Sequence, residues 1–265
     1  MEKWSIFRSL KLPAARKEGR QPIFLDFTIN FLIGEISLVQ VMDEIMTKSR
    51  GLIDGVILSP NMLSKAIPTN GIEIWVRADS AFGFMSPEKS EKSFNALSID
   101  PLEWIQYGPT GLIGTLMLGS PASIEADNIQ NLALLRSRSL DLGLTYGIDL
   151  HVSKNLPEKI INMEVLELGL NLAVELGGDV AILPSMDCFL RSDYIEKIAA
   201  VPVFARMSTI DVVSKYQPSA ARTVYPKTMD GIVITNLQDW RMLFDNGYLL
   251  KSWSNSLCFA AEDLQ

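Results

Sequence analysis

What most constrains this chain is a rhythm. Eight short apolar runs recur along its 265 residues, and most are separated by longer stretches with helical spacing. The runs are PIFLDFTI (22–29), GVILS (55–59), IEIWVRAD (72–79), GLIGTLMLG (111–119), IDLHVS (148–153), DVAIL (179–183), VPVFARM (201–207) and GIVIT (231–235). They are continuous rather than alternating. Such strands are buried on both faces, as in a parallel sheet covered by helices. Eight strand–helix repeats in this length fit an α/β fold, a single (β/α)8 TIM barrel. A doubly wound open sheet is the alternative. It calls for a glycine-rich phosphate loop after its first strand, where this chain reads LDFTINFLIG.

The connections carry helix signals of different strength. Leu38, Val41, Met42 and Ile45 repeat at the spacing of one helix face. Ser120 reads as an N-cap with Pro121 at the first helical position, and that helix closes at Gly143 with Ile129, Leu132, Leu135 and Leu140 on its buried side. Asn162 can cap the helix that follows. Short helical pieces are expected at NMLSKAI and around DPLEWIQYG, and residues 83–100 are polar and irregular and are expected to form a loop. The whole chain, 1–265, is expected to be one domain, with residues 1–20 as an N-terminal arm and 241–265 as a C-terminal helical segment.

Composition excludes several functions. A net charge of −7 argues against a nucleic-acid or anionic-membrane surface, which needs a basic stripe. No apolar stretch reaches the ~18–20 residues of a membrane span. The N-terminus MEKWSIFRSL lacks the layout of a signal peptide. Cys188 and Cys258 form no metal-ligand spacing and no disulfide framework, and a single histidine makes a histidine-based metal site unexpected. The expectation is a soluble, reducing, cytoplasmic setting, with no metal and no cofactor.

In a barrel the site is built from the C-terminal strand ends. The polar residues there are Asp26 and Asn30 on the first strand, Ser59 on the second, Arg77 and Asp79 on the third and Ser120 on the fourth. His151, Ser153, Lys154 and Asn155 follow on the fifth, Ser185 and Asp187 on the sixth, Arg206 and Ser208 on the seventh, Thr235 and Asn236 on the eighth. Asp26 lies in an apolar context, so it needs a partner or a function. It is either a structural ion pair, with Arg77 or Lys154, or a general acid/base. His151 is either a satisfied core histidine or a catalytic one. Arg77 and Asp79 stand two apart on a strand and face one side, as a local ion pair or as part of a polar pocket.

The order of these pieces resembles the class I aldolase family of archaeal-type fructose-bisphosphate aldolases and the autoinducer-2 processing aldolase, over roughly residues 20–240. IFLDFTINFLIG resembles the family's first strand, although Phe27 and Thr28 stand where an Asp-His-Gly would continue. GTLMLGSPASIEADNIQNLALL resembles the fourth strand, its Gly-Ser and helix, and LAVELGGDVAILP the helix and strand leading to the catalytic lysine. The resemblance implies a Schiff base between a strand-six lysine and a substrate carbonyl. Here Ile182 takes that position, or Leu183 after a one-residue slip. The glycines expected for phosphate at the ends of strands seven and eight are replaced by Arg206-Met207-Ser208 and Thr235-Asn236-Leu237. Two functions follow. One is an aldolase-like carbon–carbon lyase acting on a small carbonyl or sugar-like substrate. It would use Asp26, His151 or a relocated Lys154 for chemistry, and Arg77, Asp79, Ser185, Arg206 and Asn236 for binding. The other is a catalytically silent homologue with a ligand-binding, regulatory or scaffolding role. The resemblance and the apolar C-terminal stretch suggest a homo-oligomer.

Overall fold

A computed structural model describes residues 22–28, 37–49, 51–63, 71–82, 94–97, 101–152, 163–184, 201–209, 212, 230–235, 237 and 240–245. The strands are β1 (Ile23–Asp26), β2 (Gly55–Leu58), β3 (Glu73–Arg77), β4 (Asp79–Phe82), β5 (Phe94–Leu97), β6 (Gly111–Leu118), β7 (Thr145–Val152), β8 (Val180–Leu183), β9 (Val203–Ser208) and β10 (Gly231–Thr235). The helices are α1 (Ser37–Lys48), α2 (Pro60–Leu63), α3 (Ala122–Leu142), α4 (Met163–Glu175) and α5 (Trp240–Asp245). Eight strands close into a barrel in the order β1-β10-β9-β8-β7-β6-β3-β2, every pair parallel, with helices between strands. This is the expected (β/α)8 TIM barrel. Among the described residues no helix is long and apolar enough to cross a membrane.

The barrel interior is built from four similar strand pairs. On β1, β3 and β9 an aromatic residue faces a glycine across the pair: Phe24 with Gly55, Trp75 with Gly111, Phe204 with Gly231. On β7 the sizes invert, and Gly147 faces Val180. The glycines are required sterically: a Cβ at Gly55 would lie 2.1 Å from the Phe24 ring, and one at Gly231 2.7 Å from the Phe204 ring. The three rings meet in the barrel, with centroids 4.7 to 6.2 Å apart. Ile57, Ile113, Ile182 and Val233 join them in one buried inner cluster. Large and small residues on alternate strands thus fill the barrel in layers.

The N-terminal rim repeats with the same fourfold order. The residue before each of β2, β6, β8 and β10 clasps the start of a neighbouring strand of the barrel, β1, β3, β7 and β9 in turn. Asp54 donates its N–H to the Ile23 carbonyl (2.9 Å) and accepts the Ile23 N–H on its carboxylate (2.9 Å). Asp179 does the same with Tyr146 (2.7 and 3.0 Å) and Asp230 with Val203 (2.8 and 2.8 Å), and Thr110 pairs with Ile74 through its N–H and its hydroxyl oxygen (2.7 and 3.1 Å). Each clasp satisfies a strand-end N–H that the ladder leaves open.

Several local expectations are corrected. The third run breaks at Ala78, and the chain turns into β4, which pairs antiparallel with β5. The expected loop at 83–100 therefore contains a strand. That departure leaves polar groups of β6 without a ladder partner, and side chains replace it. Asp79 accepts the Thr115 N–H, while Asn128 of α3 accepts from Met117 N–H (2.9 Å) and donates to the Thr115 carbonyl (2.6 Å). Pro121, not Ser120, is the N-cap of α3; the Glu125 carboxylate accepts the Gly119 and Ser120 N–H groups instead (2.8 and 3.1 Å). Gly143 closes the helix with φ of 69°, as expected. Leu140 is 61% exposed, because the buried face of α3 runs through Asn128, Leu132, Leu135 and Ser139. Two of those four are polar and bond to backbone, so hydrophobic spacing misplaces the face. DPLEWIQYG folds as two 3-10 turns, Pro101–Glu103 and Ile105–Tyr107. The fifth strand begins at Thr145, three residues before the expected run. The N-terminal arm, Asn162, Cys188, Cys258 and residues 246–265 lie outside the described residues.

Candidate active site

Two residues beyond the aromatic layer, toward the C-terminal mouth, the inward positions of the same four strands become charged. They are Asp26 on β1, Arg77 on β3, Asp149 on β7 and Arg206 on β9. All four are buried, the carboxylates completely and the guanidinium side chains to 9% exposure. They close a ring of alternating sign. Arg77 Nη2 lies 3.3 Å from Asp26 Oδ2 and 2.6 Å from Asp149 Oδ2. Arg206 Nη2 contacts Asp149 Oδ2 directly and lies 3.9 Å from Asp26 Oδ2. Alternation is what allows four charges to be buried together, since each desolvated ion has opposite charge on both sides.

Neutral side chains complete the ring on the Arg77 side. Asp26 Oδ1 accepts from both the N–H and the hydroxyl of Thr28 (2.8 and 2.6 Å). Arg77 Nε donates to Thr28 Oγ1 and Nη1 to Thr115 Oγ1, both at 2.9 Å. Thr115 in turn donates its hydroxyl to Asp79 Oδ1 (3.2 Å). Arg77 and Asp79 therefore belong to one polar pocket, joined through Thr115. Burial works against the Arg77 charge, but Asp149, Asp26 and Asp79 together hold its pKa above the ordinary value. Burial likewise opposes the Asp149 charge, and Arg206, His151 and Arg77 outweigh it, holding this carboxyl well below the usual carboxylate range.

The Arg206 side is less complete. His151, two residues beyond Asp149 on β7, has its side chain 20% exposed and is the outermost member of the cluster. Its Nε2 lies 3.2 Å from Asp149 Oδ2 and 3.0 Å from Arg206 Nη1. One ring nitrogen can donate to the carboxylate or accept from the guanidinium, not both at once, so this contact exchanges with the proton position. Among the described residues, Arg206 Nε and Asp149 Oδ1 are buried and have no hydrogen-bond partner.

The structure thus brings together Asp26, Arg77, Asp79, His151 and Arg206 among the sequence candidates. The pairing of Asp26 with Arg77, one of the two partners considered, is observed. Lys154, Ser185 and Asn236 lie outside the described residues. Asp149 is the member sequence reasoning missed, although GIDLH carries the same signal as IFLDF: a carboxylate inside an apolar run. Ile182, at the position the resemblance assigns to the Schiff-base lysine, is fully buried in the inner cluster, and Leu183 is fully buried in the outer one. Among the described residues no three His, Cys, Asp or Glu side chains are grouped to hold a metal ion.

Solved structures share this architecture. An archaeal fructose-1,6-bisphosphate aldolase with its catalytic lysine bound to a carbinolamine intermediate matches 95% of this chain and 98% of its own, at 15% identity and a TM-score of 0.65. The chain has the fold of the archaeal fructose-bisphosphate aldolases. A Schiff-base-forming fructose-1,6-bisphosphate aldolase aligns over 97% of this chain and 98% of its own, at 17% identity and a TM-score of 0.64. The fructose-bisphosphate aldolase of Slackia heliotrinireducens covers 99% of this chain and 92% of its own, at 13% identity and a TM-score of 0.65. By sequence, no protein-family profile and no curated protein matches the chain. At these identities the likeness establishes the fold, and the chemistry rests on the residues in the mouth.

Proposed function

We propose that this protein is an aldolase-fold enzyme that acts on a small carbonyl or sugar-like compound at the C-terminal mouth of the barrel, by acid–base chemistry centred on His151. One observation carries the reading: a half-buried histidine at the mouth, with a fully buried carboxylate on one side and a guanidinium on the other. That arrangement orients an imidazole whose Nε2 can donate to the carboxylate or accept from the guanidinium. In a retro-aldol step the imidazole takes the proton of a hydroxyl β to the carbonyl. The carbon–carbon bond breaks, its electron pair moves into the carbonyl to give an enolate, and the same proton returns to the enolate carbon. Asp26, Arg77 and Asp149 hold the ring in place. Asp26 accepts from the Thr28 N–H and hydroxyl and from Arg77 and is fully buried behind them, so its part is positioning rather than proton transfer.

A second reading, a ligand-binding homologue without turnover, is favoured by the buried ring itself: its four charges neutralise one another, and Ile182 replaces the Schiff-base lysine. The experiment is turnover of a panel of hydroxyketones and aldoses, run beside borohydride trapping with peptide mapping. The proposal expects cleavage or condensation with no trapped lysine, abolished in His151→Gln and kept in Lys154→Met. A reduced adduct on Lys154 would replace it with a relocated Schiff base. Binding without turnover would leave the silent homologue.

A further inference from the structure

The chain has one histidine, so the proton positions of its imidazole can be read without overlap from any other. On β7, His151 stands two residues beyond Asp149, and alternation along a strand puts both side chains on one face. That spacing brings His151 Nε2 to 3.2 Å from Asp149 Oδ2. From β9, Arg206 brings Nη1 to 3.0 Å from the same nitrogen. An imidazole nitrogen has a single in-plane direction for a proton or a lone pair. At Nε2 that direction serves one or other of two buried members of the charged ring. A proton exchanged with a substrate therefore has to pass through Nδ1, and Nδ1 can accept one only where Nε2 carries the other.

The two neighbours of Nε2 ask for opposite states. Asp149 asks for an N–H, whereas Arg206, always a donor, asks for a lone pair. The carboxylate prevails. Burial opposes its charge, but Arg206, His151 and Arg77 outweigh burial and keep it ionised. Its charge rests on two oxygens, while that of the guanidinium is spread over three nitrogens. At similar distances the anionic atom then acts on Nε2 more strongly than the cationic one.

We infer that Asp149 is a positioning residue that holds neutral His151 as its Nε2–H tautomer, and that Nδ1 is the nitrogen that takes and returns the substrate proton. The part given to Nδ1 rests on the acid–base reading of His151 and deepens it; the tautomer does not depend on turnover. As Nδ1 takes the proton of the substrate hydroxyl, the electron pair of the O–H bond forms the new carbonyl and the carbon–carbon bond breaks. The imidazolium then carries an N–H at both nitrogens, and Nε2–H keeps its bond to Asp149. When Nδ1 gives the proton to the enolate carbon, the ring returns to the Nε2–H form. Neither step needs a rearrangement on the buried side.

The test is long-range proton–nitrogen correlation NMR of the full chain with isotope-labelled histidine, at a pH where titration of the spectrum shows a neutral imidazole. The Nε2–H form should exceed the Nδ1–H form about tenfold or more, the scale of one charge-assisted hydrogen bond. Its Nε2 proton should resonate well downfield of a solvated imidazole N–H. Asp149→Asn replaces the anionic acceptor by a neutral amide and leaves the Arg206 cation in place, so the tautomer should invert to Nδ1–H. A dominant Nδ1–H form in the wild type, or an unchanged Nε2–H form in Asp149→Asn, overturns the inference. Should that variant not fold, an Nε2 proton without the downfield shift overturns it in the wild type. Turnover of a hydroxyketone by a protein in the Nδ1–H form overturns the inference and leaves the acid–base reading standing. The Nε2–H form with no turnover of any hydroxyketone overturns the acid–base reading and the part given to Nδ1, and supports the tautomer set by Asp149.

Discussion

Replacing Asp149 by asparagine is the sharpest perturbation of the charged ring. Its Oδ2 meets Arg77 Nη2, Arg206 Nη2 and His151 Nε2, and the side chain is fully buried. The amide keeps the shape and removes one of the ring's two negative charges, leaving both guanidinium groups to Asp26. Breaking a buried ion pair on one side costs about 3–5 kcal/mol, because the remaining charge is stranded away from water. For a chain of this size that lowers Tm by on the order of 10 °C. The acid limb offers a second readout. The folded pKa of Asp149 lies below its ordinary 3.8. Its contribution is therefore complete above the unfolded value and is lost as pH falls through the folded one. Below about pH 4 the unfolded chain binds the extra proton, so wild-type stability falls with acid by up to about 1.4 kcal/mol per pH unit from this group. Asp149→Asn should lose that part of the slope. Scanning calorimetry at pH 7 and urea titrations from pH 6 to pH 2 measure both effects. A Tm within about 2 °C of wild type, with an unchanged acid slope, would show that the ring is not a buried ion network.

Other expectations follow from the layers beneath. Gly55→Ala places a Cβ against the Phe24 ring and should cost about 1–3 kcal/mol in urea unfolding; adding Phe24→Leu should recover most of it, and strict additivity would argue against the contact. Asp230→Ala leaves the Val203 N–H without its acceptor and should cost about 1–3 kcal/mol, adding independently to Asp54→Ala in a double-mutant cycle. Ile182→Lys buries an amine in the inner cluster. Burial favours the neutral amine and lowers its folded pKa, so the loss of Tm should be largest near pH 6 and shrink toward pH 10; a loss independent of pH would mean that the amine escapes to solvent.

Much of the barrel is legible in the sequence because its strands are buried on both faces and stand out as apolar runs. Order, number and approximate position of the barrel strands follow from that alone. What stays hidden is set by the partner strand rather than by the run itself. Phe24, Trp75 and Phe204 pack against Gly55, Gly111 and Gly231 only once the register is known. β4 and β5 lie in a polar stretch, where a short hairpin has no apolar signature. The same holds for the site. Asp26, Arg77 and Arg206 sit at or near strand ends and are visible there, whereas Asp149 lies inside the eight-residue β7, with His151 beyond it. Attention to strand ends finds His151 and passes over the carboxylate that orients it. In hindsight the pattern is written in the odd barrel strands, as FLD, WVR, GID and FAR: a core position, a spacer and a charge.

Deuterium incorporation follows the proton transfer assigned to His151. Uncharged hydroxyketones are incubated with the protein in D2O, and exchange at the carbon next to the carbonyl is followed by proton NMR. The expected result is enzyme-dependent exchange that His151→Gln abolishes and Lys154→Met leaves intact. Exchange that survives His151→Gln, or that depends on Lys154, would contradict it, as would no exchange with any hydroxyketone that binds.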